Sequence, residues 1–171
     1  MRHGAPATPG LLLGRTDMAV TAQGIAACHA VAATIAPRHI VTSDLARARD
    51  CAPAPAQVDP RWRELDFGAW DGLPAAAIDA DALRRFYDDA DAHPPPDGER
   101  WSTLVTRVGA ALDDCGDDTL VVTHGGAMRA ALAHACGFDA RQVWAFHLPY
   151  AALLSLRCWP DGTAQLTGLR T

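Results

Sequence analysis

Thr119-Leu120-Val121-Val122-Thr123-His124-Gly125-Gly126-Ala127-Met128 is a short β-branched, apolar run that stops at a histidine and a glycine pair and passes into an alanine-rich segment. The run is too short for a helix and has the make-up of a buried strand, predicted over Thr119 to Thr123. Ala127 to Cys136 is predicted as the helix that follows, closed by Gly137. The same alternation continues upstream. Thr21 to Ala36, with Ile25, Cys28, Ala32 and Ile35 at helical spacing, predicts a helix capped by Thr21 and stopped by Pro37. His39 to Ser43 predicts a strand leading into a helical pattern, Asp44 to Ala52, ended by Pro53. Asp81 to Asp91 and Trp101 to Asp114 predict two more helices, the second with Trp101, Leu104, Val105, Val108 and Leu112 on one face. Ala151 to Trp159 and Thr163 to Leu169 flank Pro160-Asp161-Gly162, a hairpin signature. Helices alternating with short strands imply an α/β layer fold, a mostly parallel sheet flanked by helices with a hairpin at its end. With no internal repeat and no long linker, residues 1–171 are expected to form one domain.

Composition removes several chemistries. The chain has 171 residues, 49% hydrophobic and 20% charged, with a net charge of −5. A domain of this size buries about 70% of the surface its unfolded chain exposes, so it needs no metal or disulfide to hold a core. All 15 basic residues are Arg, and of 20 acidic residues only Glu64 and Glu99 are Glu. Without Lys there is neither a Walker P-loop nor a Schiff-base enzyme. A pI near 5.7 argues against a broad nucleic-acid surface, while local Arg clusters can still hold a small anion. The five cysteines are odd in number and include no C-x-x-C, so reduced thiols are expected rather than disulfides or zinc. No 18-residue apolar run or signal-peptide pattern occurs, and a cytoplasmic protein without membrane contact is expected.

In a parallel α/β sheet, ligands sit at the carboxyl ends of the strands. Two segments bring chemistry to such a place: Arg2-His3-Gly4 and Thr123-His124-Gly125-Gly126. A His between a buried strand and Gly-Gly faces the crevice, and the amides that follow open a helix N-terminus that suits an anion. Arg2 and Arg47 supply fork-shaped donors for phosphoryl oxygens. The remaining histidines have no H-x-H or H-E-x-x-H spacing, so neither a metal nor a cofactor is expected.

These residues resemble the histidine phosphatase superfamily, the phosphoglycerate mutase-like fold, nearly end to end. Arg2-His3-Gly4 is similar to its Arg-His-Gly signature. Leu13-Gly14-Arg15-Thr16-Asp17 with Thr21-Ala22-Gln23-Gly24 resembles its Gly-x-x-Asp and Leu-Thr-x-x-Gly run, and Thr42 to Arg49 its Ser-x-Leu-x-Arg-Ala segment. Arg63-Glu64-Leu65-Asp66-Phe67-Gly68-Ala69-Trp70-Asp71-Gly72, Asp97-Gly98-Glu99 and Val121 to Met128 match three further motifs in order. The resemblance implies a sheet with helices on both faces. It also implies that His3 is a nucleophile forming a phosphohistidine, that Arg2, Arg47 and His124 bind the phosphoryl group, and that Glu64 is the acid and base. Gly4, Arg15 and Gly125 are expected to bind substrate. Arg15 is balanced between that role and solvent; for Glu99, a favourable position in the first turn before Trp101 is preferred to substrate contact. Trp62 and Trp70 either line the pocket or pack in the core.

The chain departs from the pattern in two places. The signature resembles one that follows a central strand of about five residues; here it follows Met1 directly. A sheet lacking its first strand is therefore expected, with its neighbours unpaired and His3 on a frayed terminus; either the start is assigned at an internal Met, preferred because every other motif is intact, or the protein is impaired. Pro9 stands near the place of the family's usual Asn. Mutase members resembling this chain carry insertions and a longer tail, so hydrolysis of a small phosphorylated metabolite is expected. The Gly14 to Asp17 loop and Leu148-Pro149-Tyr150-Ala151 resemble α-ribazole phosphatases of cobalamin synthesis. The alternatives are a broad-specificity phosphatase, a phosphoglycerate mutase, or a catalytically silent protein that binds phosphorylated ligands. A homo-oligomer is compatible with the sequence.

Overall fold

The computed structural model describes residues 1–171. In chain order it places α1 Ala22–Ala32, β1 His39–Thr42, α2 Ala46–Arg49, β2 Gln57–Val58, α3 Ala80–Asp88, α4 Trp101–Asp113, β3 Thr119–Val122, α5 Gly125–Cys136, β4 Leu153–Cys158 and β5 Ala164–Arg170. The first three strands form a parallel sheet in the order β2-β1-β3, with Val41 opposite both Gln57 and Val121. The pleat sends alternate side chains to opposite faces. Val41 and Val121 pack against Leu104, Val108 and Ala111 of α4 and Ala127 and Ala130 of α5. Ile40, Leu120 and Val122 pack against Cys28 and Ala32 of α1. The sheet is thus covered by helices on both faces. β4 and β5 form a separate antiparallel hairpin, turned by Gly162 at φ 83°.

Several boundaries differ from the sequence reading for local reasons. Thr21 caps α1 through Gly24 N–H at 3.0 Å, as expected, but the helix ends at Ala32 rather than Ala36. Ala36 precedes Pro37, which disfavours the helical region there. The preceding turn tightens into i→i−3 bonds, Thr34 N–H to Val31 O at 3.0 Å and Ile35 N–H to Ala32 O at 3.2 Å. α2 is four residues long instead of running from Asp44 to Ala52, because Leu45 is extended and the Asp17 carboxylate accepts from Ala46 N–H at 2.9 Å. α5 begins two residues before the expected Ala127, at Gly125, and ends at Gly137 in the left-handed conformation, φ 70°.

Residues 1–3 correct the expectation of a frayed end. No strand precedes Arg2-His3-Gly4, yet the backbone there is paired on two sides. Thr123 N–H donates to Met1 O at 2.8 Å and His3 N–H to Thr123 O at 2.8 Å, continuing the parallel sheet beyond β3. Arg2 N–H donates to Ala152 O at 2.9 Å and Ala151 N–H to His3 O at 3.2 Å, a backbone contact with the residues entering β4. His3 is fixed between sheet and hairpin and is 5% exposed. No helix is long and apolar enough to cross a membrane.

Candidate active site

The segments that leave β1 and β3 at their carboxyl ends carry Ser43 and His124, and the paired stub at residues 1–3 carries His3 beside them. The rings of His3 and His124 lie 5.1 Å apart at 62°. His3 Nδ1 stands 2.7 Å from the carbonyl of Gly4. A carbonyl can only accept, so Nδ1 carries the proton and Nε2 keeps its lone pair. Burial holds the His3 pKa down, to about 3, helped by the charges of Arg47 and Arg2 and opposed by the Gly4 hydrogen bond. The imidazole is therefore neutral near pH 7. His124 is wholly buried, and desolvation, then the charges of His3, Arg47 and Arg2, keep its pKa well below the ordinary value. Its Nε2 is 2.7 Å from Ser43 Oγ, and its Nδ1 has no partner.

Arg47 is fully buried on α2. Its terminal nitrogens donate to the carbonyls of Leu13, Gly14 and Thr16 at 2.7, 2.7 and 2.9 Å, which ties the loop 13–16 to the site and leaves Nε unpartnered. Asp71 holds the same loop by accepting from the amides of Gly14, Arg15 and Thr16 at 3.0, 2.6 and 2.9 Å. Arg2 donates to Leu148 O at 2.7 Å, its guanidinium lies 4.2 Å from the centroid of Tyr150, and its Nε is unpartnered. Only five buried side-chain polar atoms in the chain lack a hydrogen-bond partner, and Arg2 Nε, Arg47 Nε and His124 Nδ1 are three of them; the Arg2 and Arg47 charges act on His3 and the His124 ring lies beside it.

Glu64 reaches this place from the segment after Trp62. Its Oε2 accepts from Gly126 N–H at 3.0 Å and its Oε1 from Leu65 N–H at 2.9 Å. The backbone beneath is clamped by Arg107 of α4, which donates to the carbonyls of Arg61, Arg63 and Glu64, each at 2.8 Å. Arg107 is in turn paired with Glu99 at 2.7 and 2.8 Å, and Glu99 Oε2 also accepts from Asp66 N–H at 3.2 Å. Glu99 thus acts through its side chain on this segment, neither in the favourable first-turn role expected for it nor on a ligand.

A cavity of about 270 Å³ opens above these groups, lined by Arg2, His3, Glu64, Gly125 and Gly126 and otherwise mostly by apolar side chains. Arg47 and His124 lie behind this lining. Two expected substrate-binding residues lie elsewhere. Arg15 is outside the lining and pairs with Asp66 at 3.2 Å. Gly4 has its amide occupied by Cys51 Sγ at 3.2 Å and its carbonyl by His3; a Cβ there would overlap the backbone of Gly24, so its place is a close passage against α1. Trp62 and Trp70 are core residues. No group of three or more His, Cys, Asp or Glu side chains is arranged to hold a metal ion. Ser43, Arg107 and Tyr150 were not singled out in the sequence. Ser43 and Tyr150 stood inside quoted segments, whereas Arg107 carried no local signal.

A neutral imidazole with a free Nε2, close to two arginines with unpartnered Nε donors, has the character needed to receive a phosphoryl group. The sequence profile described as the Histidine phosphatase superfamily (branch 1) matches residues 1–168. The chain is similar to the "Probable phosphoglycerate mutase GpmB" of Yersinia enterocolitica, 30% identical over 142 residues, covering 72% of this chain and 66% of that protein, a little under two thirds of its length. Among solved structures it resembles a mycobacterial glucosyl-3-phosphoglycerate phosphatase in complex with VO3, with a TM-score of 0.85, 26% identity and coverage of 98% of this chain and 95% of the other. The α-ribazole phosphatase of Shigella flexneri shares the fold, with a TM-score of 0.84 over 100% of this chain and 94% of that one at 21% identity. The chain belongs to the histidine phosphatase superfamily, branch 1.

Proposed function

We propose that the chain is one catalytic domain that hydrolyses phosphomonoesters through a phosphohistidine formed on His3. The carrying observation is that a neutral imidazole stands beside the His124 ring and within the field of two arginines, Arg2 and Arg47, each with a buried Nε that has no partner. Leaving such a donor unpaired costs about 1–3 kcal/mol each, a cost that three phosphoryl oxygens offset when substrate binds. In this reading the Ser43 hydroxyl, 2.7 Å away, donates to His124 Nε2, which leaves the ring's proton on Nδ1 to face the phosphoryl group.

His3 Nε2 attacks phosphorus, the ester P–O bond breaks, and protonated Glu64 gives its proton to the leaving oxygen. Water then attacks the phosphohistidine, its proton passes to Glu64, and the N–P bond breaks to free phosphate and restore His3. One carboxyl group serves both half-reactions, and fixed donors stabilise the charge spread over the equatorial oxygens. Arg2, Arg47 and His124 supply those donors, and Gly125, in the lining at the start of α5, lets the substrate approach.

The mostly apolar lining supports α-ribazole 5′-phosphate, whose benzimidazole ring buries there, over 3-phosphoglycerate, which has little apolar surface. The Leu148-Pro149-Tyr150 segment serves the same site: Leu148 O holds Arg2 and Tyr150 lies against it. The test is phosphate release from α-ribazole 5′-phosphate, 3-phosphoglycerate and p-nitrophenyl phosphate in the presence of a chelator. The expected result is hydrolysis that vanadate blocks and His3→Ala abolishes, with the highest kcat/KM for α-ribazole 5′-phosphate. Preference for 3-phosphoglycerate with transfer between its positions would make it a mutase. Binding without turnover would make it a silent ligand-binding protein.

A further inference from the structure

Seven of the chain's arginines are not fully exposed, and Arg15, Arg61, Arg63 and Arg107 each pair with a carboxylate. The other three are Arg2 and Arg47, already placed around His3, and Arg129. Arg129 lies on α5 one turn beyond Gly125 and lines the same cavity. Its donors are poorly used: Nη1 reaches Gly125 O at 3.3 Å, Nη2 reaches Phe146 O at 3.4 Å, and Nε is buried without a partner. Bonds of that length are at the weak limit for N–H donors. The guanidinium is nevertheless held in place, 4.3 Å over the ring of Trp144. Trp144 meets Tyr87 edge to face at 5.3 Å, and both aromatics line the cavity while remaining 44% and 43% exposed. A flat, stacked guanidinium with free edge donors, beside an exposed aromatic pair, has two recognition surfaces at once: the donors take an acceptor, and the rings take a planar apolar face.

We propose that Arg129, held on Trp144, determines specificity by donating to an acceptor atom on a ring-bearing leaving group, so that the site favours nucleotide-like monophosphates, heterocyclic ribosides carrying one phosphate. This rests on the hydrolytic reading above. The phosphoryl group occupies the Arg2–His3 end, and the heterocycle extends toward Tyr87 and Trp144. An aryl phosphate with no acceptor uses only the rings, and a short carboxylated ester uses only the guanidinium.

The test compares adenosine 5′-monophosphate, 1-naphthyl phosphate and 3-phosphoglycerate on the full chain and on Arg129→Met. In the wild-type protein kcat/KM is expected to be highest for the nucleotide. Arg129→Met is expected to lower the nucleotide-to-naphthyl ratio by about 10-fold or more, chiefly through KM, as for a lost hydrogen bond to a charged donor. Trp144→Leu, at an exposed position, is expected to raise KM for the nucleotide and for 1-naphthyl phosphate more than for 3-phosphoglycerate, and keeps the test open should Arg129→Met fail to fold. An equal loss on the nucleotide and the naphthyl ester in Arg129→Met would overturn the proposal, as would no nucleotide preference over 1-naphthyl phosphate at all. Calorimetric binding of adenosine 5′-monophosphate to His3→Ala, with and without Arg129→Met, separates this from the catalytic reading. If His3→Ala stays active, the phosphohistidine reading fails, while Arg129-dependent binding still decides specificity.

Discussion

The Gly126 amide donates to Glu64 Oε2 at 3.0 Å, and the missing side chain at Gly126 leaves the space that Oε1 occupies; a Cβ built there would overlap that oxygen. The amide and the bare Cα therefore set the carboxylate's position together. Gly126→Ala is expected to displace Glu64 and lower kcat by about 10²-fold, while Glu64→Gln, which removes the proton carrier, lowers it by about 10²–10⁴-fold. Because both act on one group, the double variant should be no slower than Glu64→Gln alone. Additive losses in steady-state assays would show that Gly126 works elsewhere.

His3 and His124 are both neutral when folded and both titrate near 6.5 when unfolded. Their folded pKa values are depressed, so the stability they contribute is complete above about pH 6.5 and is lost as the pH falls, when the unfolded chain binds protons that the folded chain refuses. For two protons the slope reaches about 2.7 kcal/mol per pH unit. Asp44, Asp59 and Asp91 also have lowered pKa values, but they act below their ordinary 3.8. Urea unfolding should show falling stability between about pH 7 and 5, with roughly half the slope in His124→Asn. A flat profile over that range would contradict the burial of neutral imidazoles.

Arg107 and Glu99 are 19% and 8% exposed as side chains and together hold the backbone on both sides of Glu64. Removing one partner of such a pair costs about 3–5 kcal/mol. Arg107→Met is expected to lose that much in urea unfolding and to reduce kcat by freeing the Glu64 segment, whereas Glu99→Gln with Arg107→Met should cost less than the sum of the two single changes. Full activity in a folded Arg107→Met protein would mean that Glu64 needs no clamp.

The parts legible in the sequence were those whose chemistry is local. His124 was visible because a β-branched run, a glycine pair and an alanine-rich helix occur in succession, and Glu64 through the resemblance of the Arg63 to Gly72 segment to a family motif. Arg107 and Arg129 were not visible, since an Arg on an amphipathic helix looks solvated until the partner segment 61–64 or Trp144 is placed beside it. Arg15 erred in the other direction. Its place in a Gly-containing loop left a ligand and solvent evenly balanced, whereas Asp66, 51 residues away, is its partner. The frayed start was expected because pairing with Thr123 and Ala152 depends on contacts remote along the chain, which no local pattern records.

Acid-stable trapping fails for phosphohistidine, so the direct measurement is a rapid alkaline quench during turnover of p-nitrophenyl phosphate, followed by mass spectrometry of the proteolysed chain. A single added phosphoryl group on His3, absent after vanadate and in His3→Ala, is the predicted result. Turnover with no such adduct at any quench time, or an adduct on His124 instead, would contradict the nucleophilic role of His3.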